Sequence, residues 1–298
     1  MSIRNNTKEF LITTIIKVSG YSAIFFVVII FYFLLSQGLP TLKLVDLRSM
    51  FSVRWYPIED YYGLLPLITG SLVVTIGATM IAVPFGVGTA IFIAEIAPRW
   101  LREILKPLIE VLAGLPSVVL GFIGIAILSS VLREAMNLPT GLSAFTGSLL
   151  LGAISIPTIV SVAEDALDAV PKEYRDGALA LGGTKWQTIW TVILPAARSG
   201  VLTAVMLGIA RSIGETMTVM MVTGNAPVMA DSLRVFWSPV RTMTATIAAE
   251  MGEVANGSTH YHVLFFIGIV LFLISLIVNI IASSYVYRNT KRSEKLLS

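Results

Sequence analysis

The chain contains no cysteine. Disulfides, thiolate catalysis and cysteine metal sites are excluded, while the redox compartment stays open. Histidine is almost as scarce, with His260 and His262 the only two. They stand two apart with no carboxylate cluster at ligand spacing, so they read as interfacial polar residues and no metal site is expected. No G-x-x-x-x-G-K-[ST] phosphate loop occurs. If a nucleotide drives this protein, another chain binds it. Gly86-Val87-Gly88 opens like a dinucleotide fingerprint, but the third glycine is missing and the stretch is apolar. No catalytic constellation appears, and no cofactor is expected. The largest deficit is charge. Only 13% of residues are charged and 55% are hydrophobic, whereas soluble globular domains carry about 25% charged residues.

The deficit is concentrated in long runs. Lys17 to Lys43 encloses 25 uncharged residues, Asp60 to Glu95 encloses 34, Glu110 to Arg133 encloses 22 and Glu134 to Glu164 encloses 29. Arg198 to Asp231 encloses 32 residues interrupted only by Arg211 and Glu215, and Glu253 to Arg288 encloses 34. A spanning helix needs about 20 residues. An all-α integral membrane protein with six transmembrane helices follows, near 18–36, 67–95, 107–131, 144–166, 194–223 and 262–287. The first run is too long for a signal peptide and lacks an A-x-A-like cleavage site, so it reads as an uncleaved helix. With the N-terminus inside, fourteen Lys and Arg fall in internal segments and six in external ones, with Arg211 in the membrane. That bias predicts a multi-pass protein with both termini in the cytoplasm. The net charge of +3 then reflects orientation in a lipid bilayer, and no nucleic-acid partner is expected.

Residues 1–66 are expected to hold the first helix and an external segment, 67–287 the membrane core, and 288–298 a cytoplasmic tail. In the external segment, Trp55, Tyr56, Tyr61 and Tyr62 fit an interfacial aromatic belt. A second external segment, about 224–261, carries an amphipathic stretch at 241–254, read as a surface helix or a lid. No internal repeat is visible, which weighs against folds built from inverted repeats. Pro84, Pro116, Pro157 and several glycines interrupt the spans. Such breaks are tolerated where neighbouring helices or a cavity satisfy the freed backbone groups.

Arg211 and Glu215 lie within the fifth predicted helix, four residues apart and so on one face. A charge near the bilayer centre costs roughly 2.5–3.5 kcal/mol on insertion scales, so such residues are paired or face a polar cavity. Two readings follow. Arg211 is a positive point on an anion path with Glu215 holding it, or the two form an ion pair that fixes helix packing. Thr218 lies one turn further near the same face. The planar fork of arginine suits bidentate phosphate recognition. Ser117, freed by the break at Pro116, is a weaker candidate for the same path. Its alternative is a hydroxyl bonded to its own helix.

One polar stretch, Asp176 to Pro195, lies between apolar spans. Pro171 suits a helix start. Tyr174, Ala178 and Leu181 recur at helical spacing and form an apolar face. Gly182-Gly183 can end that helix in the left-handed conformation. Thr184 and Gln187 form a T-x-x-Q capping box for the next. The product is a short helix, a tight turn and a second helix, with an apolar face free to enter a groove on a partner. Lys172, Arg175 and Lys185 are offset by Glu173 and Asp176, which argues against DNA docking.

Asp176, Gly177, Ala178, Gly182, Leu194 and Pro195 resemble the EAA loop of ABC importer permeases. Asp176 stands for Glu, Gly177 for the first Ala and Val192 for Ile. Residues 70–98, LAGLPSVVLGF at 112–122 and ARSIGETMTVMMVTGN at 210–225 are similar to the phosphate importer permeases. The element R-x-x-G-E-T is Arg211, Gly214, Glu215 and Thr216. Met217-Thr218-Val219 and TATIAAEMGE at 244–253 resemble the PstC-type subunit more than the PstA type.

The resemblance implies a type I ABC importer permease fold whose cytoplasmic loop, 168–193, docks on an ABC ATPase dimer. It also implies a homologous PstA-like permease subunit, an extracytoplasmic phosphate-binding protein, phosphate as substrate, ATP hydrolysis in a separate subunit and a prokaryotic cell membrane. Two alternatives stay open: an ABC permease for another oxyanion, sulfate or molybdate, and an ATP-independent secondary transporter.

Overall fold

Eleven α-helices of six or more residues, two four-residue helices (Thr41–Leu44 and Leu47–Met50) and a two-stranded ribbon organise the chain in a computed structural model that describes residues 3–229 and 233–297. Ser298 and the side chains of the expected tail from residue 288 lie outside the described residues. Helix α1 spans Ile3–Gly38. Trp55–Tyr56 (β1) pairs antiparallel with Tyr61–Tyr62 (β2). Helix α2 follows over Leu65–Ile96, its last turn a π-helix at Phe92–Ile96. Then come α3 (Arg99–Ala113), α4 (Ser117–Ala135) and α5 (Ala144–Asp168). The short α6 (Lys172–Ala180) leads into α7 (Lys185–Ala196) and α8 (Arg198–Gly214), which meet at a 75° bend. Helices α9 (Met217–Val222), α10 (Met243–Glu250) and α11 (Thr259–Leu297) complete the chain.

Five of these helices are long and apolar enough to cross a membrane, and six spans result if the bent pair α7–α8 counts as one. Helix α5 is the axis of the bundle, packed between α2 and α8. Its fully buried Ile159 explains how they approach so closely. A Cβ on Gly86 of α2 would come within 2.8 Å of Ile159, and one on Gly208 of α8 within 2.5 Å. Both neighbours are therefore glycine where they face one branched side chain, the small-residue packing used between membrane helices. One turn away, Ser155 of α5 and Ser212 of α8 share a buried hydrogen bond of 2.9 Å. Helix α1 packs on α11 through the ring pairs Phe31–Phe272 and Phe33–Phe265. Most of its apolar surface is exposed, as suits a helix solvated by lipid.

Three expectations require correction. The third span runs over 117–135 rather than 107–131. Residues 99–113 form a separate helix whose Leu105 and Ile109 pack on the core. Its Arg102 and Lys106 make ion pairs, it is too short and charged to count as a span, and the chain restarts after Pro116, extended at ψ 130°. The fifth span does not continue to residue 223. It ends at Gly214, and Glu215 is extended at φ −70°, ψ 129°. The stretch 241–254 is neither a surface helix nor an open lid. Its helix α10 packs against α2, α9 and α11, with Met243, Ala245 and Thr246 buried. The aromatic belt divides as well. Trp55 and Tyr62 are buried in a core cluster with Met50, Leu64 and Leu67, and Tyr56 and Tyr61 are exposed.

Candidate functional site: the coupling loop and the intramembrane arginine

The α6–α7 loop is specified residue by residue. Gly182 adopts φ +82°, a conformation that costs a residue with a Cβ about 1–2 kcal/mol. The Gly183 N–H donates to the Ala178 carbonyl at 3.1 Å and the Gly182 N–H to the Leu179 carbonyl at 3.0 Å. These paired bonds close the end of α6 as a Schellman motif. Thr184 then starts α7 with a reciprocal capping box. Its Oγ accepts from Gln187 N at 3.2 Å, and the Gln187 side chain accepts from Thr184 N at 2.9 Å. Asp176 and Gly177 are exposed on α6 and Ala178 is half-buried. Leu181 is 91% exposed and Tyr174 44%. Together with Glu173, Gln187 and Thr191 they border an open groove of about 580 Å³.

Leu194 and Pro195 lie at the far end of α7, just before the bend into α8. Pro195 cannot donate a backbone hydrogen bond. The helix meets this with a π-turn at Ile189–Ile193, and the 75° bend follows within three residues.

Arg175 of α6 was not singled out by its sequence context, yet it holds the loop to the bundle. Its Nε and Nη2 donate to Glu95 Oε1 at 3.2 and 2.8 Å. Nη2 also donates to the Leu167 carbonyl at 2.8 Å and Nη1 to the Val170 carbonyl. Leu167 and Val170 bracket the end of α5, where carbonyls lack helical partners. Glu95 sits in the π-turn that ends α2 and is 8% exposed. Nearby, Glu164 of α5 is 2% exposed and is bonded by Arg102 Nη2 and Lys106 Nζ, both at 2.7 Å. Arg102 also pairs with Asp168, and Lys106 with Asp165 at 3.0 Å. The Glu164 bond raises the Lys106 pKa, burial opposes it, and Asp165 adds to the rise. Ion pairs thus join the end of α2 to α6 and α3 to the end of α5, and backbone-carbonyl hydrogen bonds from Arg175 link the two.

The four residues expected on a membrane path do not form one group. Arg211 lies on α8, partly buried. Its Nη1 donates to Thr158 Oγ1 at 3.3 Å and its Nη2 to the Ala113 carbonyl at 3.4 Å. Glu215 does not share its helix face, because Gly214 ends the helix. Among the described residues no ion pair joins them, so Glu215 does not hold Arg211 in place. The Glu215 carboxylate turns to α9, accepting from Thr216 N at 3.1 Å and Thr218 N at 3.3 Å. A carboxylate at a helix start satisfies its unpaired N–H groups. The buried Thr218 hydroxyl donates to the Ser117 carbonyl at 2.9 Å. Glu215, Thr218 and Ser117 therefore tie α9 to the start of α4, while Arg211 stands apart with neutral acceptors.

This architecture and these residues correspond to a known family. Residues 82–292 match the family described as the binding-protein-dependent transport system inner membrane component. The chain belongs to this family. It is a multi-pass inner-membrane component with a type I ABC importer permease fold. A relative from Bacillus subtilis named "Probable ABC transporter permease protein YqgH" is 42% identical over 226 residues, covering 75% of this chain and 72% of that protein. The phosphate transport system permease protein PstC of Xylella fastidiosa is 33% identical, covering 86% of this chain and 83% of that protein. PstC of Pasteurella multocida is 35% identical, covering 80% and 79%. Among solved structures, an inward-facing MetNI methionine ABC transporter chain is similar in fold, with TM-score 0.57 and 16% identity, covering 79% of this chain and 99% of that one. A bacterial ABC transporter for the polysaccharide alginate gives TM-score 0.57 at 13% identity, covering 92% and 97%.

The permease has a second polar cluster at the end that carries β1 and β2, which the sequence reading also missed. Glu250 of α10 accepts from Arg241 Nη2 at 2.7 Å and from Trp55 Nε1 at 3.2 Å, and contacts His260 Nε2 at 2.8 Å. His260 is thereby part of an ionic cluster, and His262 bonds the Gln37 carbonyl of α1 at 2.7 Å. Burial pushes the Glu250 carboxyl up, but the His260 bond, the Arg241 charge and the Trp55 bond outweigh it and hold it below its ordinary 4.5. The adjacent Tyr62 phenol is pushed up to about 12 by burial, by its bond to Asp60 and by the two nearby carboxylates.

Proposed function

We propose that this permease forms half of the membrane path of an ATP-driven phosphate importer. Residues 67–287 are its core, 1–66 an added helix and external segment, and 288–298 a cytoplasmic tail. Both termini and the 168–193 loop face the cytoplasm, where Asp176, Gly177, Ala178 and Gly182 meet a dimer of ABC ATPase subunits that hydrolyse ATP in its place. Leu194 and Pro195 set the bend through which that contact reaches α8. A PstA-like subunit supplies the other half of the path, and an extracytoplasmic phosphate-binding protein delivers the anion. The cycle is alternating access: closure of the ATPase dimer moves α6, and the two permeases reopen on the opposite side.

The observation that carries the anion reading is Arg211. It is a guanidinium in a membrane helix that donates to a hydroxyl and a carbonyl at 3.3 and 3.4 Å. Both bonds are long for a charged donor, whose bonds run near 2.7–2.9 Å. Among the described residues no carboxylate neutralises it. An uncompensated cation in the bilayer is expensive, and a passing oxyanion relieves that cost. The names of the PstC relatives support phosphate as that oxyanion. Glu215, Thr218 and Ser117 belong to the same proposal as the frame of the path, holding α9 against α4 beside it.

The test is uptake of labelled phosphate into proteoliposomes that hold this chain and its co-purifying subunits, with binding protein outside and ATP inside. Uptake that needs both, and is not competed by sulfate or molybdate, is the expected result. Competition by either anion would reassign the substrate. Uptake driven by an ion gradient without ATP would overturn the mechanism.

A further inference from the structure

We infer that Arg175 is a positioning residue for coupling, the clamp that makes α6 move as one body with the ends of α2 and α5. The inference rests on the reading of α6 as the ATPase contact. Helix α6 has nine residues, and the segment just before it, Ala169–Pro171, is not helical. A short helix on such a leader could tilt freely when pushed, and the push would be lost in the loop. Arg175 removes that freedom. One guanidinium reaches Glu95 at the end of α2 and the Leu167 and Val170 carbonyls at the end of α5. It sits on the bundle side of α6, 21% exposed, one residue before the exposed Asp176.

The choice of arginine is explained by the number of acceptors. Its planar fork offers five N–H donors in fixed directions, whereas lysine is a point charge on a flexible stem. Three nitrogens are used here on three acceptor groups: Glu95 in the π-turn of α2, Leu167 of α5 and Val170 in the leader itself. Glu95 adds a second feature. It lies in a π-turn, the kind of irregular turn found at functional positions in helices. Its carboxylate is nearly buried, so its charge depends on Arg175 for compensation. Neither residue touches the proposed anion path, and neither belongs to the exposed face of α6. Their role is to carry displacement from that face into α2 and α5, which meet at Gly86 and Ile159, and α5 in turn packs on α8, the helix that bears Arg211.

The experiment compares Arg175→Met, Arg175→Lys and Glu95→Gln with the unchanged chain, in the assembled complex in proteoliposomes. ATP hydrolysis and labelled phosphate uptake are measured on the same vesicles, and the ratio of the two is the readout. We expect Arg175→Met to keep hydrolysis within about twofold and to lower phosphate carried per ATP by tenfold or more. Arg175→Lys should fall between, and Glu95→Gln should resemble Arg175→Met. A merely structural role would lower both activities together through loss of complex, with the ratio unchanged. An unchanged ratio in Arg175→Met, whether both activities fall or neither does, overturns the inference. The substrate reading fails separately: if the unchanged complex carries sulfate or molybdate, the ratio is read on that anion and the clamp is tested all the same.

Discussion

Arg175 and Arg211 are both partly buried arginines, and they are treated in opposite ways. Arg175 sits at a helix end with a nearly buried carboxylate at 2.8 Å and two carbonyls on its fork. Arg211 sits within a membrane helix with two neutral oxygens at 3.3 and 3.4 Å. The same contrast holds for Arg102, Lys106 and Arg241, each matched by a carboxylate at 2.7 Å. Charges at the two ends of the bundle are balanced internally and serve the architecture. Among the described residues Arg211 has no carboxylate partner. Pairing, rather than burial, separates the arginines that join segments of this fold from the one proposed to meet the anion.

The comparison is broken most directly at Arg211. A hydrogen bond to a charged group contributes about 1.5–3 kcal/mol, and a bidentate contact makes two. Each 1.4 kcal/mol is a factor of ten. Arg211→Gln should therefore reduce phosphate uptake by roughly 100-fold or more while the complex still assembles, and Arg211→Lys should be intermediate. Full uptake by Arg211→Gln would end its role on the path. At the paired end, Gly182→Glu combines left-handed strain with a charge beside the exposed Leu181. It should cut ATPase recruitment and coupled uptake about tenfold, with Gly182→Asn milder because asparagine tolerates the conformation. Normal ATPase co-purification and normal uptake in Gly182→Glu would count against the docking reading.

How much of this was legible in the sequence depended on whether the signal was local. Uncharged runs located the spans because hydrocarbon excludes charge over about 20 residues. The turn was readable because Gly182, Thr184 and Gln187 act within a few residues of one another, and the structure realises each of them. The separation of Arg211 from Glu215 was not readable, because four-residue spacing places two side chains on one face only if the helix continues. Gly214 stops it. The third span was set too early for a related reason. The amphipathic face of 99–113 lies beside an apolar run, and only the ion pairs of Arg102 and Lys106 with Glu164, some 60 residues away in sequence, reveal that it is a separate helix. Arg175–Glu95 and Glu250–His260–Trp55 likewise join distant segments. No periodicity encodes such contacts.

The opposite end of the bundle sharpens the contrast through pH. Glu250 has a carboxyl pKa held below the ordinary 4.5. A depressed carboxylate contributes stability that is fully present above its unfolded pKa and is lost as pH falls through its folded one. Glu250→Gln leaves Arg241 and His260 without their shared carboxylate at a mostly buried site, and it should cost about 2 kcal/mol near pH 7. The gap between wild type and Glu250→Gln in thermal unfolding should then narrow as the pH is lowered below 4.5. A gap of equal size at pH 7 and pH 4 would mean that packing around α10, not the carboxylate charge, carries the effect.

The smallest effect is expected where a charge is paired but solvated. Arg54 meets Glu59 at 3.1 Å with both side chains more than half exposed, and its guanidinium lies 4.5 Å from the Tyr61 ring centroid. Exposed pairs of this kind contribute about 0.2–1 kcal/mol, because the Coulomb gain in water is small and two side chains lose rotamer freedom. Arg54→Ala should shift stability by no more than about 0.5 kcal/mol and leave uptake unchanged. If uptake instead falls several-fold at unchanged stability, then the exposed Tyr56 and Tyr61 face of the ribbon contacts something outside the membrane. Carboxylate pairing would then mark an arginine that only joins segments of this chain among the buried pairs alone.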